Sequence, residues 1–370
     1  MGYEELDTPS VIVDLDVLER NIAEMAAMAT AEGVRLRPHI KTHKSPKIAR
    51  MQLDAGAVGI TCAKLGEAEA MADGGIADIF VCYPLVTAMK VRRLAALARR
   101  PGLAVSTIVD SPEGVAALSS VFAHEPAPLT VLVKVDTGLG RVGVAPGDAT
   151  VALAQKVVAA PGLHFGGICM HEGQTYKFPD SEARAEVGRA AARTLVATAH
   201  ALEAVGLAPE RVSSGSTPGG PATASVAGIT EMRPGNYAFY DAMQVGLNVV
   251  PPERCALRVL VTVVSHTERD RAVMDAGSKT LTSDTGVHGM TGSAGHGIVV
   301  GKEGVQIVGL SEEHGWLKLD PQGSDVRIGE MLEVIPVHSC PVANLAGELV
   351  MARGGSVVDR WPVAAAGRVM

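Results

Sequence analysis

From about residue 34 to residue 245 the chain repeats one texture eight times: a short Val- and Ile-rich run, then a longer Ala-rich stretch. The runs fall at 34–37, 58–62, 78–83, 103–109, 130–135, 164–170, 211–214 and 231–233. Helical patterns occupy 15–29 ahead of them and 66–73, 89–99, 112–121, 148–160 and 181–205 between them. Continuous apolar runs suit strands buried on both faces, and strand–helix alternation implies parallel strands joined by crossover helices. Eight repeats predict an α/β chain closed into a (β/α)8 TIM barrel, with an open doubly wound sheet as the alternative. After about residue 255 the texture changes. Runs at 256–265, 272–275, 297–301, 305–311, 316–319, 331–336, 348–353 and 356–359 are separated by Gly, Pro and Asp turns, which predicts a C-terminal antiparallel β domain. The expected organisation is a barrel over 15–250 and a β domain built from 1–14 and 251–370; the opening strand at 10–14 could join either unit and is placed in the second.

Bulk properties exclude several function classes. Hydrophobic residues make up 47% of the 370, yet no apolar run reaches the roughly 18 residues that span a bilayer, so no membrane partner is expected. The start MGYEELDTPS has no basic segment ahead of an apolar stretch, and no secretory signal is expected. The cysteines Cys62, Cys82, Cys169, Cys255 and Cys340 are odd in number and form no CxxC pair. That is no disulfide framework, and a cytoplasmic location is the expectation. A net charge of −7 without a basic stripe argues against nucleic acid.

The strongest local signal is Arg37-Pro38-His39-Ile40-Lys41-Thr42-His43-Lys44, directly after the first barrel run. Four basic or imidazole groups in six residues behind an apolar strand are hard to read as a solvated loop. A lysine at a barrel-strand end, desolvated among cations, is suited to react as a free amine. Other polar insertions fall at strand ends too, the face where active sites of this fold lie. Arg141 follows run five, His171 ends run six, Ser213–Gly220 follows run seven and Arg233-Pro234-Gly235-Asn236-Tyr237 follows run eight. The last two loops are rich in Gly, Ser and Thr and flank the place where barrels commonly hold a phosphate. Lysine for an imine, small loops for a phosphate and an arginine or histidine around a ring together answer a phosphate-bearing carbonyl cofactor.

The segments Asp14-Leu15-Asp16…Leu18…Asn21, Arg37 to Lys44, Gly66-Glu67-Ala68-Glu69 and Asp136-Thr137-Gly138…Arg141-Val142-Gly143 resemble the fold-type III pyridoxal-phosphate (PLP) family, and within it the D-threonine aldolase and D-serine dehydratase branch. The likeness runs from about residue 6 to about residue 365. It implies an alanine-racemase-like barrel, a β domain, PLP bound through Lys41 and a homodimer. By position it places Arg141 near the phenolic oxygen of PLP, His171 against the ring, and Ser214, Gly215, Ser216, Thr217, Gly235 and Asn236 around the phosphate. Arg233 falls where the related alanine racemases carry an arginine facing the pyridine nitrogen.

A second constellation is His338-Ser339-Cys340 in the β domain. Residues two apart on an extended segment point to one side, so imidazole and thiolate could chelate one ion. Alone, the pair reads by default as a buried cysteine beside a structural histidine; the resemblance implies instead a divalent metal (Zn, Mn or Mg) that engages the substrate's β-hydroxyl. Cys62 and Cys82 read as buried strand residues, and His288 and His296 as loop residues of a Gly-rich segment that could act as a lid. The implied substrate is a D-β-hydroxy-α-amino acid. Retro-aldol cleavage of D-threonine-type substrates is the preferred reading, with Lys41, His171 and Tyr176 as catalytic groups. Dehydration of D-serine or D-3-hydroxyaspartate is the alternative. The branch's aldolases carry H-x-D and a histidine at the place of Tyr176, so this chain departs from them twice. Racemisation is disfavoured, since all five tyrosines precede the C-terminal domain, and a non-catalytic PLP carrier would lack that domain.

Overall fold

The computed structural model describes residues 2–286, 295–320 and 326–370; His288 lies outside them. The eight barrel runs all form strands: β2 (Arg35–Leu36), β3 (Ile60–Cys62), β4 (Asp78–Pro84), β5 (Ala104–Val109), β6 (Leu129–Lys134), β7 (Leu163–Cys169), β8 (Arg211–Ser214) and β9 (Glu231–Met232). They pair in parallel in the order β2-β9-β8-β7-β6-β5-β4-β3. A parallel bridge between His39 and Thr61 joins the two ends, with Thr61 N–H donating to Pro38 O at 2.8 Å. The sheet is therefore closed, which removes the open-sheet alternative. Phe80, Ile108, Leu132 and Cys169, one each from β4 to β7, pack together as a cluster of their own on one face of the sheet.

Helices α1 (Leu15–Ala31), α2 (Pro46–Asp54), α3 (Leu65–Asp73), α4 (Ala88–Ala98), α5 (Pro112–Phe122), α6 (Asp148–Ala159), α7 (Ser181–Glu203), α8 (Gly220–Ala224) and α9 (Ala242–Gly246) surround the barrel sequence. Their starts follow ordinary end chemistry: the Asp14 carboxylate accepts from the Asp16 and Val17 amides, Ser111 from Gly114 and Asp180 from Ala183. Helix α2 has no counterpart among the sequence-derived helices. It begins at Ser45-Pro46, a proline at the first helical position, immediately behind the basic segment.

The β domain is a second closed ring. Its long strand β10 (Leu257–Glu268) pairs with β15 (Met331–Pro336) through its first half and with β11 (Arg271–Met274) through its second. The circuit runs on through β14 (Gly315–Leu319), β13 (Val305–Leu310) and β12 (Gly297–Val299). Strand β1 (Ser10–Asp14) pairs antiparallel with β10 and parallel with β16 (Glu348–Arg353), and β17 (Ser356–Pro362) completes the edge. Two short helices, α10 (Ser278–Leu281) and α11 (Ser339–Leu345), sit in this half. Among the described residues no helix is long and apolar enough to cross a membrane.

Candidate active site

Past β2 the chain makes a single turn, Ile40–Thr42, which lifts Lys41 onto the rim of the barrel; the His39 imidazole caps it by accepting from the Lys41 amide at 3.3 Å. The basic segment then divides. His39 and Lys41 line a pocket, whereas His43 and Lys44 are buried behind it. His43 Nε2 pairs with Gln52 Oε1 at 3.2 Å, and burial holds its pKa down at about 4, so it is neutral. Lys44, in the left-handed region at φ 50°, donates to Asn344 Oδ1 at 2.6 Å and pairs with Glu67 at 3.3 Å. That anchors the lysine turn to α11 of the β domain.

The pocket gathers Arg141, His171, Tyr176, Gly215, Ser216, Thr217, Arg233, Gly235 and Asn236 from the strand ends, and His338 and Cys340 from the β domain. Of the predicted residues only Ser214 stands outside the lining. It is buried beneath the loop, with its hydroxyl 3.0 Å from that of Thr223. The two small-residue loops meet because they lack side chains at the crossing. A Cβ on Gly215 would lie 2.5 Å from the Arg233 nitrogen, and one on Gly235 2.8 Å from the His39 carbonyl oxygen. The backbone amides of Ser216, Thr217, Gly235 and Asn236 donate to no protein acceptor among the described residues, and the buried Asn236 Oδ1 has no partner there either. Lys41, Lys134, Arg141 and Arg233 add positive charge around this cradle. Such a donor set fits a phosphate dianion, and a rim amine beside it fits the carbonyl of PLP.

Burial, then the cations Lys41, Lys134 and Arg141, push the His171 imidazole well below its usual pKa. The ring is neutral near pH 7, and its Nδ1–H donates to Gly215 O at 2.8 Å, leaving the lone pair on Nε2. Arg233 is buried, its guanidinium donating to Ser213 Oγ and to Met170 O. Tyr176 lies on the turn Gly173–Lys177. Its hydroxyl accepts from Gln244 Nε2 at 3.3 Å, and burial, followed by the charges of Asp241 and Cys340, pushes the phenol up. It therefore keeps its proton.

His338 and Cys340 come together, though not as an extended segment would bring them. Strand β15 ends at Pro336; His338 is the N-cap of α11 and Cys340 lies in its first turn. It is the strand-to-helix turn, not strand alternation, that brings the two side chains into hydrogen-bond contact. Burial opposes a charged imidazole here, but the Cys340 thiolate and the Asp284 carboxylate outweigh it and raise the His338 pKa to about 10. Burial likewise opposes the thiolate, yet His338 carries the Cys340 pKa below its usual value. Asp284 Oδ2 stands 2.9 Å from His338 Nδ1, and Thr42 Oγ1 3.2 Å from Cys340 Sγ. A carboxylate behind a histidine fixes the ring through Nδ1 and turns Nε2 toward Cys340, a recurring arrangement around metals; an ion bound there would displace the proton between Nε2 and the thiolate. No group of three or more His, Cys, Asp or Glu donors occurs among the described residues, so these two would hold an ion only with non-protein ligands completing its shell.

Other site groups carried little sequence signal. Cys82, read as a buried strand residue, is only partly buried because it lies at the mouth end of β4 and lines the pocket. Lys134, at the end of β6, lies in the pocket wall with its pKa lowered chiefly by burial. Both occupy strand ends, the position that marked the other site residues. His39 and Thr42, inside the basic segment, and Val142, beside Arg141, also line the pocket. Asp241 and Asp284 had no marking pattern.

A rim lysine, a neutral histidine and a glycine-lined anion cradle at the C-terminal ends of a closed barrel define a cofactor-dependent barrel enzyme. Residues 13–242 match the family model "Alanine racemase, N-terminal domain", and residues 256–352 a serine dehydratase domain. The chain is 35% identical to a D-threonine aldolase of Arthrobacter sp over 98% of its own length and 93% of that protein. Among solved structures it is similar to a D-threonine aldolase from Filomicrobium marinum (TM-score 0.92, 34% identity, 100% of this chain and 98% of that one). It is also similar to a D-threo-3-hydroxyaspartate dehydratase from Delftia sp. HT23 (TM-score 0.91, 31% identity, 98% of each), of which a cysteine-to-alanine variant was solved in a metal-free form. The chain belongs to the PLP-dependent enzyme family with an alanine racemase N-terminal domain.

Proposed function

We propose that this protein is a PLP- and divalent-metal-dependent lyase that eliminates water from D-β-hydroxy-α-amino acids of the D-serine and D-3-hydroxyaspartate type. The observation that carries this reading is the buried Tyr176 hydroxyl, fixed by Gln244 in the wall of the pocket that His338 and Cys340 also line, where burial pushes the phenol pKa up so that it keeps its proton. Retro-aldol cleavage needs a base to take the β-hydroxyl proton; elimination needs an acid to deliver one. Holding its proton, Tyr176 has one to give and no basic site to take another, although the same burial makes it a weak acid that needs the leaving hydroxyl activated.

PLP, held by Lys41 and the amides of the cradle, supplies the electron sink that makes the substrate's Cα–H bond acidic. Lys41 Nζ takes that proton. Tyr176 Oη delivers its own to the departing β-hydroxyl, so Cα–H and Cβ–O break and water leaves. The enamine released hydrolyses to a keto acid and ammonia. Arg141 at the mouth offers its guanidinium to anionic oxygens there. His338 and Cys340 would hold the ion, and imidazole with thiolate suits zinc better than magnesium; the ion would lower the basicity of the leaving hydroxyl.

Product analysis with D-serine and D-threonine, with and without EDTA, tests the reading. Pyruvate or 2-oxobutanoate plus ammonia, lost on chelation, is the expected result. Glycine plus acetaldehyde from D-threonine would replace it with the retro-aldol reading, which the identity to D-threonine aldolase favours. A second test is Tyr176→Phe. Loss of a proton donor should lower kcat about 10²-fold, while PLP absorbance and metal content stay unchanged. A variant with full kcat would remove Tyr176 from the chemistry.

A further inference from the structure

Asp241 does not line the pocket, yet it is wholly buried and bonded toward three parts of the site. Its Oδ2 accepts from Asn236 Nδ2 at 2.6 Å, from the Ser339 amide at 3.0 Å and from Ser339 Oγ at 3.2 Å. Asn236 Nδ2 also reaches Ser339 Oγ at 3.1 Å. The other oxygen, Oδ1, accepts from the Gln244 amide at 3.3 Å, and the Gln244 side chain donates to Tyr176 Oη. Asn236 belongs to the anion cradle, and Ser339 stands between His338 and Cys340.

Capping α9 explains Oδ1 alone. It gives no reason for Oδ2 to collect three donors from two other segments, one of them in the β domain. A buried carboxylate is costly, and stays only where its partners are held firmly. The same bonds work in reverse: whatever orders Asn236 fixes Oδ2, and Oδ2 fixes the backbone from which His338 and Cys340 project.

We infer that Asp241 is a positioning residue through which PLP in the cradle and a divalent ion at His338–Cys340 strengthen each other's binding. The inference rests on the cofactor and metal reading given above. Phosphate at the Asn236 loop restricts the Asn236–Asp241–Ser339 chain before the ion arrives, so the ion binds a pair already aimed. Linkage makes the effect reciprocal: PLP tightens the ion by the same factor by which the ion tightens PLP.

The test is the zinc affinity of the full chain, read by chelator competition, with PLP bound and after its removal. Zinc is expected to bind the PLP-loaded protein at least about fivefold more tightly, within the usual range of such couplings. PLP affinity, read by absorbance with and without zinc, should change by the same factor. In Asp241→Asn the negative charge is lost and one oxygen becomes an amide nitrogen, so the side chain can no longer serve the Asn236 and Ser339 donors and the Gln244 amide at once. The ratio should then fall to near one in a protein whose circular dichroism and melting are those of a folded chain. Ser339→Ala removes only the hydroxyl arm, should reduce the ratio part-way, and decides the matter if Asp241→Asn fails to fold. Equal zinc affinity with and without PLP in the unaltered protein would overturn the coupling alone, as would a full ratio in both variants. No zinc binding in either state would overturn the metal reading as well.

Discussion

Replacing Lys41 by alanine is expected to lower kcat/KM by about 10⁴-fold, the upper end of what one proton-transfer group contributes, and to abolish the visible absorbance of PLP joined to the protein. Two roles are lost together, since the same nitrogen holds the cofactor's carbonyl carbon and takes the Cα proton. The pocket contains a competitor, Lys134, and the structure distinguishes them. Lys134 ends β6 with its amine fully buried, beside Cys82 and Cys169. Lys41 sits on a turn at the rim, its amide fixed by His39 and its neighbours Thr42 and Lys44 tied to α11. A rim amine can exchange one carbonyl partner for a substrate; an amine in the wall has no path for a substrate nitrogen to replace it. Lys134→Ala should therefore keep the absorbance band. Loss of the band in Lys134→Ala and its survival in Lys41→Ala would reverse the assignment.

Much of this site was legible because barrel chemistry clusters at strand ends. The alternation locates those ends to within a few residues, so the sequence alone places Arg37 to Lys44, Arg141, His171 and the two small-residue loops on one rim. Strand β2 shows the weak point: only Arg35 and Leu36 keep ladder geometry, and the function-bearing residues lie in the turn beyond. The His338–Cys340 pair was found, but for a mistaken geometric reason, because nothing in Pro336-Val337-His338-Ser339 announces the change from strand to helix. Asp241 and Asp284 were invisible for a different reason. Each acts through partners on other segments, some nearly a hundred residues distant, and a lone aspartate reads locally as a cap or a turn. Asp241 is indeed a cap; its second oxygen holds the information that sequence spacing does not carry.

Glu231→Ala, at the start of β9 and outside the pocket lining, is expected to destabilise the protein by about 3–5 kcal/mol, the usual result of deleting one partner of a buried ion pair. Glu231 is fully buried, accepting from Arg37 Nε at 2.9 Å and from Ser213 Oγ at 2.7 Å. Arg37 also pairs with Asp78 at 2.5 Å, so one guanidinium links β9 to β4 beside the β2–β3 seam where the barrel closes. Gly59 leaves it room, for a Cβ there would lie 2.3 Å from Nη1. Removing the carboxylate leaves Arg37 with Asp78 as its remaining partner and takes from the buried Arg211 its chief neighbouring negative charge. The pH dependence follows from the sign of the shift. Burial would raise the Glu231 pKa, but Arg37 and Arg211 outweigh it and hold it below the ordinary value. Its contribution is thus complete above the unfolded pKa of about 4.3 and is lost as pH falls through the lower folded value. Urea unfolding should show the full gap between native and variant at pH 7 and a narrowing gap below about pH 4. Glu231→Gln, which can still accept from Ser213, should fall between the two. A gap that persists undiminished into acid would mean that Glu231 stabilises the seam by packing rather than by charge. Because Glu231 lies two residues before Arg233, the same variant should also weaken PLP binding, by loosening the strand that carries the second half of the cradle.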